Sequence, residues 1–534
     1  MERDISLSYD FERVGQTAIV GTCYWLEEDS GDGRPVELVD KKETIQGIHS
    51  VLSECTGMYT IITEIRKGIC ISTDVINAYP VCYYIAEKVC YISDNNKYIL
   101  EKVKERTINE TSYQEYKHAT YVSGGNTLIE GVRQTEGGKT IAIGDGGEVS
   151  ERREDIDFAG NISREPSDIA DVAITSVERL AKYAAGRSIW LAMSGGYDSR
   201  ILAVMLKRIG YSDINTYTYG LGGNIEVGKS KHTARKLGLN WEFVKHTPEI
   251  WQDLYDSSVR REMDDRHWIR TSLPIADWPA VHQLRRQEIM GENAVIVTGH
   301  GGGFLAGVIF PDKMYGEDYV RHSQVVDAIM RQHYNKNNIN KNEKEKIRRR
   351  LSSSLRFDGG SGALAVSYLD RWNLSERQTK HVTSCLQTFE PYNVSYWLPY
   401  FDEEYVRFWS NTNTDQRINK KIYKEFINKC IDNREKIIGA KSQRQTKNES
   451  EAEKKLKKII INIGIKDVLV KFWNVWKHIT GNVRQEYDGQ YADPRGSLTA
   501  IDFGRFKNLY NGDAWLSSYR AREILGEISL TKQE

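Results

Sequence analysis

Up to about residue 160 the chain alternates short apolar runs with turn residues, as at 17–21, 58–63 and 68–73. Runs of that length, rich in β-branched residues and broken by Gly, Asn and Asp, predict a mostly antiparallel sheet domain. The polar stretch 161–166 predicts a linker. The period then changes. Ile169, Val172, Ala173, Val177 and Leu180 recur at helical spacing over 168–185, with Ser167 as the expected N-cap. A buried strand follows from Ser188, and Ile201, Leu202, Met205, Leu206 and Ile209 define a helix that Gly210 stops. Strands at 214–220 and 240–245 flank a helix starting near Glu226. This alternation predicts a parallel sheet with a ligand at its carboxyl edge. Another buried strand from Ala294 runs into the glycines 299 and 301–303. The basic run 335–351 predicts a solvated helix or loop, and Tyr368, Trp372 and Glu376 mark a further helical stretch. Beyond 450, Val468, Leu469, Phe472, Trp473, Trp476 and Ile479 form an amphipathic stripe of core type, and Phe503, Phe506, Leu509 and Tyr510 lie on another.

Composition narrows the class. The 534 residues suffice for two or three domains with real cores, and Lys plus Arg equals Asp plus Glu at 74 each. Such a balance argues against nucleic acid and acidic membranes as partners. Seven cysteines without close pairs suit reduced thiols, the first residues carry no apolar leader, and no apolar stretch approaches a membrane span. The expectation is a cytoplasmic protein.

The chemistry concentrates in two loops. Ser194, Gly195, Gly196, Asp198 and Ser199 lie between a strand and a helix, where free amides and the positive helix end favour an anion. The two Ser hydroxyls add donors, and Asp198 is placed to hold Mg²⁺ against phosphates. No Lys follows the last Gly, which excludes a Walker loop. The spacing resembles the pyrophosphate loop of N-type ATP pyrophosphatases, which cleave ATP between its α- and β-phosphates. The segment 294–307 resembles the second pyrophosphate loop of asparagine synthetases, which adds the backbone at Gly299, Gly301 and Gly302 to the ATP site. Gly303 stands where that family has an Asp that helps hold magnesium, and His300 where it has a Glu. β-Lactam synthetase has a Tyr at the latter position, and lasso-peptide cyclases share the Gly-His-Gly-Gly pattern. A neutral imidazole there can take a proton from an amine nucleophile or act as a loop donor.

The resemblance extends further. It implies that Thr218 and Tyr219 line the adenine, that 397–409 closes the synthetase site, and that 419–424 belongs to a Lys-rich helix. A pyrophosphate-steadying Lys then falls on Lys441, with Lys436 and Lys447 as competitors. In the front part, Gly57 to Tyr59, Asp74, Tyr79, Pro80, Tyr83, Tyr84, Ser93 to Asn95, Gly131, Val132, Gly137 and Gly138 resemble the glutaminase domain of the same family. Its nucleophile is an N-terminal Cys; here residue 2 is Glu2 and the first cysteine is Cys23. Glutamine hydrolysis is therefore expected to be absent, with Cys23, Cys55, Cys70, Cys82 and Cys90 as packing residues. The implied architecture is mixed α/β and α+β. An Ntn-hydrolase-like domain (1–160) precedes a parallel-sheet ATP pyrophosphatase domain of HUP type (165–450) and a helical extension (451–534). The implied activity is an ATP- and Mg²⁺-dependent, AMP-forming amide ligase acting on a small-molecule or peptide carboxylate with ammonia or an amine. Asparagine synthesis is its default; a peptide- or sugar-modifying ligase or cyclase and a non-catalytic nucleotide binder are the alternatives.

Overall fold

The computed structural model describes residues 1–431 except 28–32, 154–155, 221–224, 248, 251–252, 255–256, 272–275, 308–311 and 336–338. The expected extension from 451, and Lys436, Lys441 and Lys447, lie outside the described residues.

Among its described residues the front half carries ten strands: β1 (Glu2–Ser6), β2 (Phe11–Val14), β3 (Thr17–Trp25), β4 (Cys55–Ile65), β5 (Gly68–Thr73), β6 (Cys82–Ala86), β7 (Val89–Ser93), β8 (Arg133–Gln134), β9 (Lys139–Gly144) and β10 (Val149–Arg153). They form a four-stranded sheet, β1-β7-β6-β8, and a six-stranded sheet, β10-β9-β5-β4-β3-β2. Only the β1–β7 pair is parallel within these sheets. Side chains alternate between faces along a strand, and both faces of β4 and β5 are covered. Ile62, Ile69 and Ile71 meet Tyr83, Cys90 and Ile92 between the sheets. Ile61 and Cys70 point the other way, onto Val39, Ile48 and Val51 of two short helices. Helices Asn96–Lys102 and Glu110–Ala119 cover the outer face of the smaller sheet. The result is four layers, helix–sheet–sheet–helix, the β-rich domain expected at the front of the chain.

The back half is built on β11 (Ile189–Ala192), β12 (Ile214–Gly220), β13 (Asn240–Lys245), β14 (Val295–Thr298) and β15 (Ser395–Trp397), all parallel in the order β13-β12-β11-β14-β15. The central strands are closed on both faces, with Ile189, Leu191, Val295, Ile296 and Val297 fully buried. The chain winds outward from β11 to β13 and then restarts at β14 on the other side of β11. The order reverses between β11 and β14, and such a switch point leaves a crevice at the strands' carboxyl ends.

Two expectations need correction, and two that hold gain detail. The helix Pro166–Ala184 starts on Pro166, whose fixed φ suits a first turn, and the Glu165 amide donates to Asp168 Oδ2 at 2.8 Å; Ser167 lies inside the helix. The stretch 161–166 is no free linker. Gly160 and Ile162 donate to the carbonyls of Ser410 and Asn411 at 3.1 and 3.0 Å, and a Cβ on Gly160 would meet the Asn411 backbone at 2.1 Å. The basic run forms a helix, Lys341–Ser354, that is solvated on one side only. Ile347 and Leu351 are buried, and Arg350 reaches Glu115 at 2.9 Å and Asn109 at 2.8 Å. The helical stretch around Glu376 changes winding, from an α-helix at Gly362–Asn373 to a π-helix at Leu374–Val382.

Two buried charge clusters tie the halves together. Asp402, capping the helix Glu403–Asn411, accepts from Glu404 N at 3.1 Å, Arg179 Nη1 at 2.7 Å and the Thr56 hydroxyl of β4 at 3.0 Å. Arg179 also donates to the Leu26 carbonyl at 2.7 Å. The second cluster joins Glu136 to Lys139 at 2.5 Å and Arg153 at 3.2 Å, beside Lys380 of the π-helix, which bonds Glu376 at 2.7 Å and the Gly124 carbonyl at 2.6 Å. Burial opposes the charged form of Glu136, but Lys380, Lys139 and Arg153 prevail and hold its carboxyl down at about 2, from an ordinary 4.5.

Asp402→Ala removes the cap of the helix Glu403–Asn411 and the hydrogen bonds from Arg179 and Thr56, while Arg179 keeps Glu404 at 2.8 Å; it is expected to cost about 1–3 kcal/mol in urea unfolding. Glu136 binds its proton more weakly folded than unfolded. Its stabilisation is therefore present above pH 4.5 and lost as pH falls toward about 2. Glu136→Gln is expected to lower stability at pH 7 and to flatten that acid limb in denaturation midpoints measured across pH.

Candidate functional site

The crevice at the switch point is a cavity of about 320 Å³, inside the range of about 300–1,000 Å³ usual for small-molecule pockets. Its floor is the turn from β11 into the helix Tyr197–Arg208, whose first-turn amides have no partner within the helix. Ser199 Oγ accepts from Ser194 N at 3.1 Å, and Ser194 Oγ from Gly196 N at 3.1 Å. Both hydroxyls serve the loop as acceptors and lie 3.4 Å from each other, so with one donating to the other the second keeps its hydrogen for a ligand. The loop's own carbonyls are taken up by Arg200, which donates to Gly196 O at 2.8 Å and Gly195 O at 2.9 Å. Donors toward the cavity and acceptors tied behind it make the floor a seat for an anion.

The second glycine loop packs directly on this turn. A Cβ on Gly299 would lie 2.7 Å from Ser199 N, and one on Gly302 would lie 2.9 Å from the Tyr400 ring and 3.0 Å from Asp198 Cγ. Gly301 sits at φ +94° with the Phe401 ring 2.8 Å from where its Cβ would be. Gly195 faces Glu226 at 2.7 Å in the same sense. Gly196 and Gly299 line the cavity, whereas Gly195, Gly301 and Gly302 stand outside its lining and are packing glycines. Tyr400 and Phe401, from the segment expected to close the site, back the loop. Asp402, two residues on, faces away into the sheet interface.

Asp198 Oδ1 accepts from the Tyr423 hydroxyl at 2.6 Å, and its carbonyl accepts from Tyr400 at 2.8 Å. Lys420 approaches from the same side, its Nζ 5.6 Å from the Tyr423 ring centre. Burial pulls its ammonium below the ordinary range while Asp198 works against that. No cluster of three His, Cys, Asp or Glu suited to a metal occurs among the described residues. One carboxylate beside phosphate donors is the donor set of a magnesium ion carried in on its substrate, and the residues fit Mg²⁺ in that sense.

The far wall differs in character. His300 Nδ1 lies 2.8 Å from Thr298 Oγ1, and the ring is set between Asp198 and Asp277. Burial lowers its pKa against the pull of those two carboxylates, so the imidazole is neutral at pH 7. Asp277 is buried and hydrogen-bonds the Tyr219 hydroxyl, with its pKa raised by burial. Tyr219 also stacks on His246 at 5.1 Å. Thr218 lines the cavity, but its Oγ1 lies 2.7 Å from Met193 O and 2.8 Å from Ser230 Oγ and accepts from Trp241 Nε1 at 3.1 Å. Its hydroxyl proton is committed to the sheet, which leaves its oxygen able to act toward a ligand only as an acceptor.

The structure thus brings Ser194, Gly196, Asp198, Ser199, Thr218, Tyr219, Gly299 and His300 to one cavity. Arg200, Asp277, Lys420 and Tyr423 were missed. Asp277 and Tyr423 lie 79 and 225 residues from Asp198 in sequence, with no local pattern to join them. Lys420 stood in a noted Lys-rich stretch, where its left-handed φ of 57° was invisible. In the front half all five early cysteines are buried. Burial pushes the Cys70 thiol up to about 12, Cys82 and Cys90 up to about 11, and Cys23 well above its ordinary value.

No family model matches the chain, and no curated protein matches it in sequence. Several solved structures are similar to it. Glutamine phosphoribosylpyrophosphate amidotransferase from B. subtilis, complexed with ADP and GMP, aligns over 54% of this chain and 62% of its own at 11% identity and TM-score 0.18. A structure described as the allosteric regulatory enzyme of purine biosynthesis aligns over 47% and 67%, also at 11% identity and TM-score 0.18. The chain spans under two thirds of the first of these, and at such scores neither likeness bears on what this chain binds. No described helix is long and apolar enough to cross a membrane.

Gly299→Ala is expected to force the two loops apart and to cost about 1–3 kcal/mol in thermal or urea unfolding, because the atom in its way is backbone.

Proposed function

We propose that this chain is an AMP-forming amide ligase of the asparagine-synthetase kind, working in the cytoplasm. What supports the reading is the cavity itself. An anion seat at Ser194, Gly196 and Ser199 lies across from a neutral imidazole at a sheet switch point. In the first step a substrate carboxylate oxygen attacks the α-phosphorus of ATP, the Pα–O bond to the β-phosphate breaks, and pyrophosphate leaves. In the second, a nitrogen lone pair attacks the acyl carbon, the C–O bond to AMP breaks, and His300 receives the nitrogen's proton. Asp198 and the phosphates would hold Mg²⁺, which supplies charge neutralisation at the leaving pyrophosphate. The loop amides and Ser hydroxyls hold and orient the phosphates. Lys441 keeps the pyrophosphate-steadying role that the resemblance implies. Aspartate and ammonia are the default reactants; a peptide or sugar acid and a larger amine are the alternative pair.

Gly303 favours a second reading, a protein that binds nucleotide without turnover, because it removes one expected magnesium carboxylate. ATP–pyrophosphate exchange with Mg²⁺ separates the two, using aspartate and then pooled amino acids, peptides and sugar acids. The ligase reading expects exchange with one of them and a loss of about a hundredfold in Asp198→Asn. ATP binding without any exchange, with exchange gained in Gly303→Asp, would establish the second.

A further inference from the structure

The cavity has a floor made for an anion, and the wall opposite is made for something else. Asp277 is 6% exposed and lines the cavity. The ionisable groups that interact with it from neighbouring elements are Tyr217 and Tyr219 of β12, His300 after β14, and Cys385. Burial keeps the tyrosines and the thiol protonated. No described Lys or Arg forms an ion pair with Asp277. A carboxylate withdrawn from water without a counter-cation is costly, and a bound cation removes that cost.

A second observation points to the same spot. The Tyr217 hydroxyl is fully buried on the cavity wall and has no hydrogen-bond partner among the described residues. Buried hydroxyls rarely stay unpaired unless a ligand or water completes them. An alkylammonium brings three N–H donors and a positive charge. Asp277 and the Tyr217 oxygen offer acceptors, and the ring of Tyr219 offers a π-face. A free metal ion is served poorly by one carboxylate and a phenol.

We propose that Asp277 and Tyr217 form the binding site for the ammonium group of the acceptor, so that the nitrogen nucleophile is a primary amine on a larger substrate. This deepens the amide-ligase reading and rests on it for the bond the amine goes on to make. His300 lines the same cavity and interacts with both Asp277 and Asp198.

Titration calorimetry on the full chain tests the assignment, with n-propylammonium chloride as probe, n-propanol as its uncharged counterpart and MgATP as a separate ligand. The wild type is expected to bind the ammonium and not the alcohol. Asp277→Asn is expected to weaken ammonium binding by about ten- to a hundredfold, and Tyr217→Phe by several-fold. A far-ultraviolet circular dichroism spectrum and a cooperative thermal transition matching the wild type show that each variant has folded. Equal ammonium binding by wild type and Asp277→Asn overturns the proposal, as does wild type that binds MgATP but not the ammonium. Loss of MgATP rather than ammonium binding in a folded Asp277→Asn assigns the carboxylate to the nucleotide and overturns it too. Binding of neither ligand by the wild type removes the ligase reading along with it.

Discussion

Everything at the site hangs on a contact with no room for one extra carbon. The loop after β14 lies against the first turn of the helix Tyr197–Arg208 so closely that a methyl group on Gly299 or Gly302 would overlap Ser199 or the Asp198 side chain. That approach turns two separate strand ends into one continuous wall. It also fixes Asp198, whose carbonyl and carboxylate are held from behind by Tyr400 and Tyr423. The glycines here act less as ligand contacts than as the absence of side chains that lets two backbones meet.

Electrostatics then divides the cavity. The cavity is lined by the first turn of a helix and its hydroxyls, by a buried carboxylate, and by a phenol with no hydrogen-bond partner among the described residues. A histidine whose pKa burial lowers lines it too. A lining that holds both hydrogen-bond donors and a carboxylate offers separate partners to an anion and to a cation.

β11 and β14 were legible because they are buried and read as short unbroken apolar runs leading into glycine turns, whereas β12 and the more exposed β13 were read from their place in the strand–helix alternation; all four fall where the sequence puts them. β15 escaped because three residues, Ser395 to Trp397, carry no period. The Ser167 cap was a fair propensity guess overridden by Pro166, which starts a helix by itself. Thr218 shows a different limit. Its place on the wall was readable, but the commitment of its hydroxyl to Met193, Ser230 and Trp241 depends on strand neighbours that one sequence does not reveal. Asp277 and Tyr423 were out of reach for the same reason, since each meets its partners only in three dimensions.

The short segment from Tyr400 to Asp402 carries one further meaning. Its first residue holds the carbonyl of Asp198 and its last is bound to Thr56 in the front sheet. Three consecutive residues therefore link the cavity's turn to a sheet whose five cysteines are packed away. The front half serves as a chassis: removing it would take away the Thr56 partner of Asp402 and loosen the segment that holds the Asp198 carbonyl.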